Sequence, residues 1–311
     1  MFQPVEVRKC KNNFEYAAMG QIKALAVNLK GLIKQQPTFY VGLATCSLVF
    51  VIFYIFLSRC NPGGDWQAVL RPSTLSFLAG NNPYTEHRFL SPPWAFVVLI
   101  PPALLDPHEG SALFALIGAA GYLLAFYRLK AKPLIIFFLI ANPAFFAALF
   151  NPNFDWAVAL GYTLPPPIGL FFVLAKPQIS APLVFFWFVE AWHSGGYRKV
   201  LWFFSPVVIA YGLSIIFFGP WMLHMGEATN SLSNTANVWP WDLMVGLVLL
   251  TLSMRHRKNN LALMAGPFFS PYLAPYSWLP ASLGLLSDTL AIIAAWAAFW
   301  IAWLISIKIF G

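Results

Sequence analysis

The sequence predicts an all-α membrane protein, a polytopic bundle of about ten transmembrane helices. Three observations lead there. First, 59% of the 311 residues are Ala, Val, Ile, Leu, Met, Phe, Trp, Tyr or Cys, against about 45–50% in soluble domains. Second, charged residues make up only 10%, where about 25% is usual, and mean hydropathy is +0.68. Third, the apolar runs are continuous, and several approach or exceed the ~20 residues of a spanning helix. Backbone groups in lipid must bond internally, which leaves helices or closed barrels. Continuous rather than alternating runs select helices. The same composition excludes disorder, collagen and coiled coil.

The elements follow in order. Residues 1–36 form a basic cytoplasmic segment, with an amphipathic helix over 14–34 that sets Ile22, Leu25, Leu29, Leu32 and Ile33 against Lys23, Lys30 and Lys34. Such a helix suits the surface of anionic membrane lipids. A single transmembrane domain occupies 37–308. Its first span is 38–57, and a polar stretch, 58–91, follows. Further apolar runs are 92–105, 111–127, 133–150, 156–174, 178–192, 199–218, 241–254, 261–273 and 281–307. Run 92–105 is short and carries Pro92, Pro93, Pro101 and Pro102, so it reads as a half-inserted segment. Run 156–174 is broken by Pro165, Pro166 and Pro167, so it reads as a hairpin of two short helices.

Lys and Arg counts then orient the chain. With those two runs excluded as single crossings, fifteen Lys and Arg fall inside and four outside: Arg59, Arg71, Arg88 and Lys176. Both termini are cytoplasmic in this topology. The outer loops are 58–110, 151–155 and 219–240; they hold Asp65, Glu86, Asp106, Glu109, Asp155 and Glu227, and Asp242, at the start of run 241–254, falls on the same side. The outer face therefore carries the polar chemistry. The net charge of +8 lies between hydrophobic runs rather than on a solvated face, which argues against nucleic acid as a partner. Cys10, Cys46 and Cys60 supply no disulfide framework.

The first outer loop is the richest. Asp65 follows Gly63 and Gly64 and precedes Trp66. A carboxylate there can take a proton from a sugar hydroxyl, or it can cap a helix beginning at Trp66. The outer bases suit a phosphate: Arg by bidentate contact, Lys by point charge. Lys176, Arg71 and Arg88 are the candidates, with His87 beside them, while Arg59 reads as a snorkelling side chain at the end of the first span. Asn153 and Asp155 either orient an acceptor or cap the next helix. Asp288 lies two turns into the last span or at its outer interface. His224 and Glu227 could border an acceptor, and Trp239 and Trp241 are either a sugar platform or an interface belt.

Several of these segments together resemble a family. They are the lone Asp65 after the first helix, the Gly80-Asn81-Asn82-Pro83-Tyr84 segment, and the Pro92-Pro93 pair. Asn153 to Asp155, Leu174 to Pro177, Ser270-Pro271 and Ser277-Trp278 follow in order. The chain resembles, over about 38–280, the polyprenyl-phosphate-sugar-dependent glycosyltransferases of the GT-C fold, in particular bacterial mannosyltransferases. The resemblance implies a GT-C-like core in a bacterial plasma membrane and an inverting transferase acting on the outer side. Asp65 would be the catalytic base. Arg71, Arg88, Lys176 and His87 would hold the donor phosphate. Asn153, Asp155, Asn82, Tyr84 and Tyr276 would serve the acceptor or support the base. The donor, mannose on a polyprenyl phosphate, is a substrate, so no cofactor is implied. A lone acid where many relatives carry an acidic pair argues against an obligatory metal, which wants several oxygen ligands. Two rivals remain. A non-catalytic GT-C-like subunit of a membrane complex, with partner membrane subunits, is favoured by the short chain and lone acid. A lipid or solute transporter would require more polar groups at mid-membrane than the runs contain.

Overall fold

The computed structural model describes residues 37–60, 63–86, 89–224 and 238–310. The amphipathic helix expected over 14–34, the residues His87, Arg88 and Glu227, and the His224 side chain lie outside the described residues. The chain divides into two units, 1–53 and 54–311. Of the first unit only 37–53 is described, as the start of helix α1 (Pro37–Cys60). Among its described side chains Leu48, Val49 and Ile52 are apolar and more than half exposed, as suits a surface that meets lipid.

The second unit carries the rest of the chain. All of its described regular structure is helical. After α1 the backbone turns at Gly63 and Gly64, whose φ values are +77 and +28, a region that side chains with a Cβ avoid. One π-turn, Trp66–Leu70, runs directly into α2 (Arg71–Leu78). Trp66 is wholly buried; its indole N–H donates to the Pro107 carbonyl at 2.9 Å and its ring tilts over Phe114. Helices α3 (Pro83–Glu86) and α4 (Phe96–Ala103) follow. Helix α4 has eight residues and contains Pro101 and Pro102, so run 92–105 is too short to cross a bilayer, as its composition implied.

Helix α5 (Pro107–Arg128) starts at an Asp106 cap, whose carboxylate accepts from the His108 N–H at 3.0 Å. The apolar run 133–150 forms two helices, α6 (Pro133–Ile140) and α7 (Pro143–Phe150), bent by 57°. Pro143 lacks the N–H that would continue α6 and biases Asn142 away from helix. Asn142 instead caps α7 by accepting from the Ala144 N–H at 2.8 Å. The Ala141 carbonyl at the break accepts from the indoles of both Trp296 and Trp300, at 2.9 and 3.0 Å.

Run 156–174 is the expected hairpin, α8 (Asp155–Tyr162) and α9 (Pro166–Val173), turned at the prolines. Trp156 of α8 packs on the bare face that Gly118 and Gly121 leave on α5. Next comes α10 (Pro177–Phe218), 42 residues long and interrupted at Gly196, where φ 59 and ψ −155 leave the helical region. The chain closes with α11 (Leu243–His256), α12 (Asn259–Ala265), α13 (Trp278–Ser282) and α14 (Thr289–Phe310).

Among the described residues, two helices are long and apolar enough to cross a membrane, α5 and α10, or three if the bent pair α6–α7 is one span. The expected bundle of about ten transmembrane helices is therefore met only as an all-helical fold with two or three qualifying spans among the described residues. Prolines divide several apolar runs into shorter pieces, and α10 joins the runs 178–192 and 199–218 across the break at Gly196. Large apolar side chains such as Trp202, Ile216 and Phe217 of α10 and Ile301 of α14 are nonetheless exposed, which fits membrane association. Asp288 stands just before α14 and caps it, accepting from the N–H groups of Leu290 and Ala291 at 3.0 and 3.1 Å. It is exposed and not inside a span. Cys60 is an exposed free thiol.

Gly266, after α12, meets the Ile179 carbonyl of α10 so closely that an added Cβ would collide with it. Gly266→Ala is expected to destabilise the fold by about 1–3 kcal/mol through overpacking. Gly212→Ala, with nothing within 4 Å of the new Cβ, is expected to be neutral or slightly stabilising. Thermal unfolding of the two variants in one detergent checks the contrast.

Candidate active site

The site begins with a loop whose odd-numbered residues all reach the same way. Asn151, Asn153 and Asp155 alternate with Pro152 and Phe154, which are buried. Asn151 ends α7, and its Oδ1 accepts from the Asp65 backbone N–H at 2.6 Å. A Cβ on Gly64 would collide with that same Asn151 Oδ1. Gly64 is thus what lets the second loop close on the first.

Asn153 holds its own amide in one orientation, because Oδ1 accepts from the Phe154 N–H at 2.7 Å. Its Nδ2 then donates to Asp65 Oδ2, at 2.7 Å. The Tyr276 hydroxyl donates to the same oxygen, also at 2.7 Å. That hydroxyl accepts in turn from Asn151 Nδ2 and Asn153 Nδ2, each at 3.3 Å. Asp65 has helical backbone angles and makes no side-chain cap. The cap reading of Asp65 is therefore replaced by a carboxylate gripped through one oxygen. No described residue bonds Oδ1. Asp65 is half-buried, whereas Tyr276 is buried.

Asp155 opens α8, yet it too makes no cap. Its Oδ2 meets Lys176 Nζ at 2.5 Å, and both residues are buried. Pro177 keeps Lys176 out of the helical region (φ −138, ψ 74), which turns its side chain back from the α9–α10 junction into the cluster. Nζ also donates to Ser277 Oγ at 3.1 Å and lies 4.8 Å from the centre of the Tyr276 ring. An ammonium has three donors. Asp155 and Ser277 accept two of them, and the ring face of Tyr276 meets the charge. Lys176 joins the cluster as the partner of Asp155 and not as the open cation expected for a phosphate.

Burial, then the Asp65 and Asp155 charges, push the Tyr276 phenol well above its ordinary value. It therefore remains a neutral donor to Asp65 through the physiological range. Tyr272, half-buried nearby, is raised by burial and then by the same two charges.

The structure thus gathers five of the sequence-predicted residues: Asp65, Asn153, Asp155, Lys176 and Tyr276. It adds Asn151 and Ser277. Asn151 carried a signal in the Asn-x-Asn-x-Asp alternation. Three predicted residues make their contacts elsewhere. Arg71 donates from Nη2 to the Leu105 carbonyl at 3.1 Å. Asn82 donates to the Phe218 carbonyl at 3.1 Å and accepts from the Tyr84 N–H. Tyr84 is buried, donates to the Ser91 carbonyl at 2.9 Å and stacks on Trp221. Asn82 and Tyr84 thus fasten the first loop and do not reach the Asp65 cluster. Trp239 and Trp241 are exposed.

The far end of α8 carries a separate set of bonds. Arg128 Nε and Nη2 donate to Thr163 Oγ1 and its carbonyl, both at 3.1 Å. Tyr162 donates to Asn259 at 3.1 Å. The acidic cluster and the bases around Arg128 therefore sit at opposite ends of one helix. Among the described residues no three His, Cys, Asp or Glu side chains come together as a metal-binding group. Comparison of the chain with protein families, curated proteins and solved structures gives no match.

The raised Tyr276 phenol has a measurable sign. Its proton contributes stability that is complete below the unfolded value near 10 and is lost as pH rises through the folded value. Thermal unfolding between pH 8 and 11 is expected to show an alkaline loss, and Tyr276→Phe is expected to make that loss shallower.

Proposed function

We propose that this protein is an integral membrane glycosyltransferase that moves a sugar from a polyprenyl-phosphate donor to an acceptor hydroxyl at the outer leaflet, with inversion. Mannose is the sugar that the sequence resemblance favours. A GT-C-like polytopic core, cytoplasmic termini and a bacterial plasma membrane belong to the same reading. The observation that carries it is the state of Asp65. One carboxylate oxygen is held by two donors from distant loops, and the other has no bond to any described residue. Such a group is oriented for proton abstraction before substrate arrives.

In this mechanism Asp65 Oδ1 takes the acceptor's hydroxyl proton. The acceptor oxygen bonds the anomeric carbon as the bond to the lipid phosphate breaks and that electron pair leaves with the phosphate. Asn153 and Tyr276 keep the carboxylate aimed, and Asn151 fixes the backbone beneath it. Arg71 and Arg88 are the candidates to receive the phosphate charge. A cavity of about 820 Å³ lies between α7, α14 and the Tyr276 segment, lined by Phe146, Phe150, Pro275, Trp278, Phe299 and Trp303. Pro275 and Trp278 flank Tyr276 in sequence. Apolar walls beside the segment that carries Tyr276 suit a prenyl chain.

A second reading, a non-catalytic membrane subunit, is favoured by one observation: Lys176 is spent on internal partners. Sugar transfer by purified protein separates the two. Asp65→Asn is expected to lower transfer from polyprenyl-phosphate-mannose by about 10²–10⁴-fold, the usual span for a general base. Unchanged transfer in Asp65→Asn removes Asp65 as base. No transfer by folded wild type across donors and membrane acceptors selects the subunit.

A further inference from the structure

Three buried polar atoms without a hydrogen-bond partner among the described residues belong to residues around one cavity. They are Asp155 Oδ1, the Tyr122 hydroxyl and Trp156 Nε1. The cavity measures about 10 Å³ and lies among α5, α7, α8 and Tyr276, with apolar walls from Phe114, Phe145 and Leu149. Asp155 and Tyr122 are 2% exposed and Trp156 is 6% exposed. Leaving all three unbonded is costly, above all for the second oxygen of a carboxylate whose first oxygen is engaged by Lys176.

We propose that this cavity is an internal water site, built to hold one water molecule between Tyr122, Asp155 and Trp156. The volume is that of one site, since a water needs about 10–15 Å³ and two to four polar partners. The donor chemistry also fits. Trp156 Nε1 can only donate and Asp155 Oδ1 can only accept, while the Tyr122 hydroxyl does either. Water is the smallest species that offers both lone pairs and hydrogens. An anion is repelled by Asp155, and a bare cation is opposed by the indole N–H.

The water would accept from Trp156 and donate to Asp155 Oδ1, with Tyr122 completing its shell. It fixes the carboxylate plane so that Oδ2 stays on Lys176. The polar network then runs from α5 through Asp155 and Lys176 to Ser277 and the Tyr276 ring. The site stands whether or not Asp65 acts as a base.

The test uses the full chain purified into lipid nanodiscs. A structure at a resolution that shows ordered waters is expected to place one peak within hydrogen-bond distance of all three atoms. Thermal unfolding of Tyr122→Phe, Trp156→Phe and the double variant is the second measurement. A shared water makes the changes non-additive, so the double variant loses less Tm than the two single losses added. A cavity without a peak overturns the proposal, as do three atoms bonded to protein groups or Tm losses that simply add.

Discussion

A carboxylate and an ammonium 2.5 Å apart, both withdrawn from solvent, set the terms for everything around them. Neither Asp155 nor Lys176 can be buried alone, because an uncompensated charge in such surroundings costs far more than a lost contact. Each therefore requires the other, and their elements must meet: the start of α8 and the α9–α10 junction. Ser277 and the ring of Tyr276 complete the shell of the ammonium. The segment that carries them is drawn to the same point. Tyr276 then has its hydroxyl on Asp65, which ties in the end of α1. Four separate stretches of chain are thus brought together by one buried pair and the groups that satisfy it.

Gly64 is the complementary constraint. It creates no attraction. It removes the bulk that would keep Asn151 from the Asp65 backbone. The Asp65 carboxylate then receives its two bonds from groups that are themselves already fixed. Asn153 is held by its own neighbour's N–H, and Tyr276 by its burial between the two acids. Rigidity at Asp65 is inherited from these layers, and Asp65 itself stays half-buried, with one oxygen bonded by no described residue.

Much of this was legible in the sequence, and for stated reasons. Prolines 165–167 force a turn, so the α8–α9 hairpin could be read directly. Pro101 and Pro102 shorten α4. Charge placement put Asp65, Asp155 and Lys176 on one side, and these residues do gather at one end of α8. The break at Asn142 was missed although Pro143 marks it, because eight strongly apolar residues on each side read as one run. The pairing of Lys176 with Asp155 was not legible at all. Hydropathy and charge counts locate ionisable groups along the chain, but which acid a base meets depends on three-dimensional packing. Asn82 and Tyr84 show the same limit. Their polar groups look available in the sequence, and the fold spends them on the carbonyls of Phe218 and Ser91.

The carbonyl of Ala141, freed by the break at Asn142 where the Phe145 N–H bonds the Asn142 carbonyl, receives two indole N–H groups from α14. That is a point fastening between two elements that elsewhere face each other across the large apolar cavity. Polar bonds have a preferred distance and direction, whereas apolar walls grip in proportion to area and are indifferent to register. The two walls are therefore fixed in register at the Ala141 end, while the side chains that line the cavity between them are apolar. A receptacle of this kind measures the girth of an occupant and not its length. On the proposed reading, prenyl chains that differ only by added repeats at their far end would be held alike.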